Sequence, residues 1–228
     1  RDLETVLQVM VPRGPAVVVG HSMGGMSVLA HARQFPQNYG RRIVGAALIS
    51  SAAEGLPRSP LGEILQNPAL EAVRFAARYI PGLVLRTRGA TRSMLRPILK
   101  TASFGDDSVS PSVVAYSEEM IHDTSTDTLV EFLHALEVHD ESAALPVLAR
   151  VPVLIACGDR DLLTPVKYSE EMAAALPESL LVIVPGAGHL VQMERPEVIN
   201  DALVRLVEKA TPSRLVAFAR KLRGRDRD

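Results

Sequence analysis

The sequence predicts an α/β protein in which a parallel sheet alternates with helices and a long helical insertion interrupts the pattern. Three observations predict it. Short apolar runs at about 16–20, 43–50, 152–157 and 180–185 alternate with helix-patterned segments at about 23–35, 166–175 and 196–209. Between about 54 and 145 the alternation stops and the signals are mostly helical. Three short motifs, G-H-S-M-G, G-D-R-D and G-A-G-H, follow directly on the first, third and fourth apolar runs. Active groups of parallel sheets gather at those carboxyl ends.

The chain opens with an amphipathic helix pattern from Asp2 to Met10. Ala16-Val17-Val18-Val19 then reads as a strand, and a strand this apolar expects burial on both faces and a partner on each edge. Gly20-His21-Ser22-Met23-Gly24 follows on a strand-to-helix corner. Such a corner forces the serine backbone into a sparsely populated region, at about 1–3 kcal/mol, and holds its hydroxyl in the open. Gly20 and Gly24 lack a Cβ and are expected to permit close approach of the flanking backbone. The helix beginning at Ser22 has unpaired first amides, so the Met23 N–H is a candidate donor to a developing oxyanion. His21 is expected to pack or hydrogen-bond beside the corner.

The second strand, about 43–50, leads into the insertion. Its helical patterns include Pro68 to Val73, Pro111 to Val114 and Thr128 to Leu133, with breaks near Pro57, Pro81-Gly82 and Gly105-Asp106-Asp107. Phe75, Tyr79, Leu83, Leu85, Met94, Phe104 and Met120 are candidates to line a pocket, or to pack the core of the insertion itself. Its wealth of Leu, Val and Met favours apolar ligands over charged ones.

The third strand closes on Cys157, the single cysteine, which excludes an internal disulfide and reads as a buried, inert thiol. Gly158-Asp159-Arg160-Asp161 follows and offers two candidate acids, Asp159 and Asp161. After the fourth strand, Gly186-Ala187-Gly188-His189 offers a base. Serine is a weak nucleophile without an adjacent base, so Ser22, an aspartate and His189 are candidates for one nucleophilic site. The remaining histidines His31, His122, His134 and His139 lie on helical stretches or at their ends and read as surface or packing residues.

These residues resemble the α/β-hydrolase superfamily in its serine esterase and lipase branch, over about residues 16–210. The resemblance implies a Ser22–Asp161–His189 triad, with the acid at the last position of the G-x-x-D segment. Pro165 and Glu194-Arg195-Pro196 also fit the pattern, and Glu194 is expected to anchor the loop after His189. It implies a partial α/β-hydrolase sheet at 1–53 and 146–211, a helical cap at 54–145 and a basic tail at 212–228. The family's earlier strands and second oxyanion donor precede its nucleophile strand, so the sequence reads as N-terminally truncated and is expected to hydrolyse esters weakly on its own. The implied activity is hydrolysis of carboxylic esters with apolar acyl or alcohol groups, without cofactor. Thioesterase, carbon–carbon bond hydrolase and cofactor-free perhydrolase chemistry use the same triad. A ligand-binding protein on the same fold is the non-enzymatic alternative.

Composition narrows the partners. With 228 residues, 47% hydrophobic content and a net charge of -1, the chain gives no support for nucleic-acid binding. It has no Cys/His cluster of metal-ligand spacing and no G-x-x-x-x-G-K phosphate loop. No apolar run approaches the roughly 18 residues of a membrane span. A cytoplasmic location is expected. The tail after Pro212 carries a local charge of about +4, and either touches an anionic lipid surface as an amphipathic helix or docks Leu215 and Phe218 on the body.

Overall fold

The computed structural model describes residues 1–56, 103–106, 109–123 and 135–211, with Gly62, Thr128 and Phe132. Phe75, Tyr79, Leu83, Leu85 and Met94, most of the insertion and the tail at 212–228 lie outside the described residues.

Four strands form one parallel sheet: β1 (Ala16–His21), β2 (Ile43–Ile49), β3 (Val153–Gly158) and β4 (Leu180–Val184), in the order β1-β2-β3-β4. Seven α-helices are described: α1 (Asp2–Met10), α2 (Met23–Gln34), α3 (Pro111–Asp123), α4 (Leu145–Leu148), α5 (Val166–Ala175), α6 (Val191–Glu194) and α7 (Pro196–Ala210). Each strand lies within one or two residues of its expected span. Among the described residues, none between β2 and β3 is in a strand.

The two-residue period of the strands sorts their side chains onto two cores. Ala46 and Leu48 of β2 and Val153 and Ile155 of β3 face Leu29, Leu148 and Met172 on one side. Ala47, Ile49, Leu154 and Ala156 face Val191, Ile199 and Leu206 on the other. Helix α7 lies so close to β2 that a Cβ on Gly45 would stand 3.0 Å from the Ala210 methyl. Both faces of the central strands are therefore covered, and their unbroken apolar runs follow.

β1 has the open edge and the exposed apolar surface expected of this strand when it lacks a partner on one side. Val18 is buried, but Val19 is 51% exposed and β1 is an edge strand. Helix α7 packs on β2 and β3, and Val17 of β1 reaches the same cluster.

α1 is pinned to the sheet by a polar network. Glu4 accepts hydrogen bonds from His31 Nε2 and Asn38 Nδ2, both at 2.8 Å, and from Gln8 at 2.9 Å. Burial pushes the Glu4 carboxyl up, but the bonds from His31 and Gln8 outweigh it and hold it below its ordinary value. The Arg42 guanidinium donates to the Leu7 and Val11 carbonyls and closes the C-terminal end of α1, whose last turn has no basic residue of its own. His31 is thus a buried packing residue. Replacing Glu4 with Ala leaves His31 and Asn38 without their acceptor. We expect it to lower unfolding stability by about 2 kcal/mol in urea titration, while Gln8→Ala changes it by less than about 0.5 kcal/mol.

Candidate active site

The corner between β1 and α2 turns at Ser22. Ser22 has φ 53° and ψ -121°, a conformation that L residues rarely adopt. Three contacts hold it there. Its N–H donates to Ile49 O at 2.9 Å, extending the β1–β2 ladder by one residue. Its carbonyl accepts from the Gly25 N–H at 2.9 Å and from the Ser51 hydroxyl at 2.9 Å. A Cβ on Gly20 would collide with the Gly24 carbonyl, so the corner closes only over a glycine at 20. Gly24 differs from expectation: a Cβ there would meet nothing within 4 Å among the described residues. The close approach falls on Gly20 and on Gly25, whose Cβ would stand 2.5 Å from Ser51 Oγ.

The serine hydroxyl meets a relay. Ser22 Oγ lies 2.9 Å from His189 Nε2, and His189 Nδ1 lies 2.9 Å from Asp161 Oδ2. A carboxylate only accepts, so Nδ1 carries the ring proton and Nε2 is left to accept from Ser22. Asp161 follows β3 and is 3% exposed. Its Oδ1 accepts from the Leu163 N–H at 2.9 Å and the Thr164 N–H at 2.8 Å, and its Oδ2 from the Thr164 hydroxyl at 2.8 Å. Burial pushes this carboxyl up, but the bonds from His189 and Thr164 prevail and hold it below its ordinary value. The acid stays ionised while shielded from water. Thr164 was not singled out in the sequence, although an aspartate followed by a hydroxyl residue three positions on is a recognisable turn signal. Ser51 was missed too, and its small-residue surroundings carry no signal.

Asp159, the competing acid, is committed elsewhere: its Oδ1 accepts from the Gly186 N–H at 2.7 Å and closes the turn after β4. The Cys157 thiol is buried, which pushes its pKa up, as expected of an inert strand cysteine. His21 Nε2 donates to the His189 carbonyl at 2.8 Å, and the two rings stand 4.9 Å apart. Burial, with the neighbouring His189, lowers the His21 pKa to about 4. Glu194 anchors the loop before His189, not the one after it, by accepting from the Gly188 N–H at 2.7 Å.

The Met23 N–H at the start of α2 finds no acceptor among the described residues, and the first turn of α2 holds no acidic side chain. The N-terminal end of the α2 dipole therefore lies at Ser22, its N-cap, with no acidic side chain in the first turn. Of the pocket candidates, Phe104 is buried against the backbone that precedes His189, whereas Met120 is 55% exposed on α3. Among the described residues, no group of three His, Cys, Asp or Glu side chains could hold a metal ion, and no helix is long and apolar enough to cross a membrane.

A model of the alpha/beta hydrolase family matches residues 1–202. The chain is similar to an uncharacterized protein of Mycobacterium tuberculosis, 27% identical over 93% of this chain and 60% of that protein. It is also similar to a pimeloyl-[acyl-carrier protein] methyl ester esterase of Xanthomonas oryzae, 28% identical over 89% of this chain and 74% of the esterase. Among solved structures, a thermophilic esterase from Thermogutta terrifontis superposes with a TM-score of 0.69 at 26% identity, over 92% of this chain and 71% of that one.

Two outcomes test the site geometry. Gly20→Ala should destabilise the fold by about 3 kcal/mol or more in urea titration, whereas Gly24→Ala, in helix and with no described residue within 4 Å of the added Cβ, should be neutral or stabilising by up to about 1 kcal/mol. The second concerns pH. A His21 pKa near 4 in the folded chain lies below the ordinary histidine value of 6.5, so the unfolded chain binds more protons between the two. The neutral ring contributes its full stability above pH 6.5, and this is lost as pH falls toward 4. His21→Gln, which keeps an amide donor for His189 O, should flatten that loss by up to about 1.4 kcal/mol per pH unit in urea titrations.

Proposed function

The chain belongs to the alpha/beta hydrolase family, and from that premise we propose that it cleaves carboxylic esters through an acyl intermediate on Ser22. One observation carries the reading: an unbroken hydrogen-bonded line from Ser22 Oγ through both nitrogens of His189 to Asp161, at 2.9 Å per link. The esterases among the similar proteins support it.

In this mechanism His189 Nε2 takes the Ser22 proton as the oxygen attacks the acyl carbon. Asp161 holds the Nδ1–H tautomer and stabilises the imidazolium that forms. Negative charge builds on the carbonyl oxygen, and the Met23 N–H at the α2 terminus stabilises it. The imidazolium protonates the departing alcohol. Water then attacks the acyl carbon and gives its proton to His189 Nε2, and the imidazolium returns that proton to Ser22 Oγ as the acyl–oxygen bond breaks and the acid leaves. The neutral state of His21 matters here, because a second positive charge beside His189 would oppose imidazolium formation. The substrate is a small ester with an apolar acyl or alcohol group, bound under the insertion at 54–145. The Leu, Val and Met content of that segment and the buried Phe104 favour such a ligand.

The test uses the full-length protein. A fluorophosphonate probe should label Ser22, and p-nitrophenyl esters should be hydrolysed. Ser22→Ala should abolish labelling and lower kcat by about 10⁴- to 10⁶-fold, and Asp161→Asn should lower kcat by about 10⁴-fold with little change in KM. A folded protein that neither labels nor hydrolyses any ester would overturn the assignment.

A further inference from the structure

The motif Glu194-Arg195-Pro196 takes no part in the acyl chemistry, yet Glu194 is buried at 8% exposure and its carboxylate is fully engaged. Both oxygens accept from backbone amides on different segments. Oε1 takes the Gly188 N–H at 2.7 Å, one residue before His189. Oε2 takes the Gly105 N–H at 3.0 Å, within the insertion.

The two segments so joined are pressed together. A Cβ on Gly105 would stand 2.5 Å from the Ala187 carbonyl carbon, and one on Gly188 would stand 2.7 Å from the Phe104 carbonyl carbon. A Cβ on Gly158, at the end of β3, would collide with the Ala187 carbonyl from the other side. The loop carrying His189 therefore runs between the end of β3 and residues 104–105 with no room for side chains. Further bonds fasten the same junction: the Leu190 N–H donates to Ser103 O at 2.9 Å, and Arg160 Nη1 to Gly105 O at 3.0 Å. One hydrogen bond thus crosses directly from Ser103 to the residue after His189, and the Glu194 carboxylate bridges Gly105 to the residue before it.

We infer that Glu194 is a positioning residue: its carboxylate clamps the backbone at Gly105 to the His189 loop at Gly188, so that His189 and residues 103–105 move as one body. A displacement of the insertion at 103–105 is transmitted to the imidazole. Carboxylate chemistry suits the task, because each oxygen must accept and neither may donate. Glutamine has nearly the same shape but turns one acceptor into an NH₂ group facing an N–H donor.

The kinetic arm of the test rests on the ester-hydrolase reading, and the structural arm does not. In the full-length wild-type protein, hydrogen exchange followed by NMR should show the Gly105 and Gly188 amides protected and opening with the same free energy. In Glu194→Gln both should exchange at least about tenfold faster, and the downfield Nδ1–H resonance of His189 should shift or broaden, while amides in β3 keep their wild-type rates. On a p-nitrophenyl ester, kcat should fall by about 10- to 100-fold with KM within about twofold. Independent opening of the two amides in the wild type would overturn the clamp. So would unchanged exchange in Glu194→Gln, or a loss of protection in β3 equal to that at Gly105 and Gly188. A wild-type protein without esterase activity would sink the hydrolase reading alone, since exchange and the imidazole resonance still decide the role of Glu194.

Discussion

A serine held at φ 53° is the constraint on which the rest of the site is built. A residue in that conformation costs about 1–3 kcal/mol and persists only when its surroundings over-determine it. Here the surroundings are specific. Gly20 admits the helix backbone where any side chain would obstruct it. Ile49 takes the serine N–H, and Ser51 and Gly25 share its carbonyl. The parallel register of β1 on β2 places Ile49 opposite His21, so the strain is borne by the sheet itself. One consequence follows from the turn: the hydroxyl is presented to His189 Nε2 at 2.9 Å, at the start of α2.

The relay depends on solvation as much as on distance. Asp161 is buried, and burial alone would push its carboxyl toward the neutral form. The Thr164 hydroxyl, two backbone amides and His189 restore the charge by donating to it. The charged acid then fixes which nitrogen of His189 holds a proton. Burial works in the opposite sense on His21, whose ring is kept neutral and serves only to hold the His189 carbonyl. His21 and His189 thus carry their ring proton on different nitrogens, Nε2 and Nδ1, because one faces a carbonyl and the other a carboxylate.

The loop that delivers His189 is controlled by backbone contacts. Three glycines, at 105, 158 and 188, let separate segments meet without side chains between them. Glu194 then satisfies two amides that close packing has removed from water. The position of the imidazole is therefore a property of packed main chain, which is stiffer than a side-chain network and links the base to the insertion.

Much of this was legible in the residues alone. Apolar runs gave the strands within one or two positions, and for β2 and β3 the reason is that a strand buried on both faces must be apolar throughout. Ser22 and His189 stand out because each follows a strand within a glycine-flanked motif, and local sequence encodes local turns. What sequence left open was decided by contacts between distant segments. Asp159 and Asp161 are both short carboxylates on one turn, and only the path of the loop after β4 gives Asp159 to Gly186 and Asp161 to His189. Gly20 and Gly24 look alike in the motif, yet the packing of α2 on β1 requires only the first to lack a Cβ. Ser51 and the double grip of Glu194 act on partners brought near by the sheet or the loop that follows it. The chain determined which chemical groups exist and which turns present them. The tertiary structure determined which donor meets which acceptor, because hydrogen bonds depend on distances that parallel strands set between residues far apart in sequence.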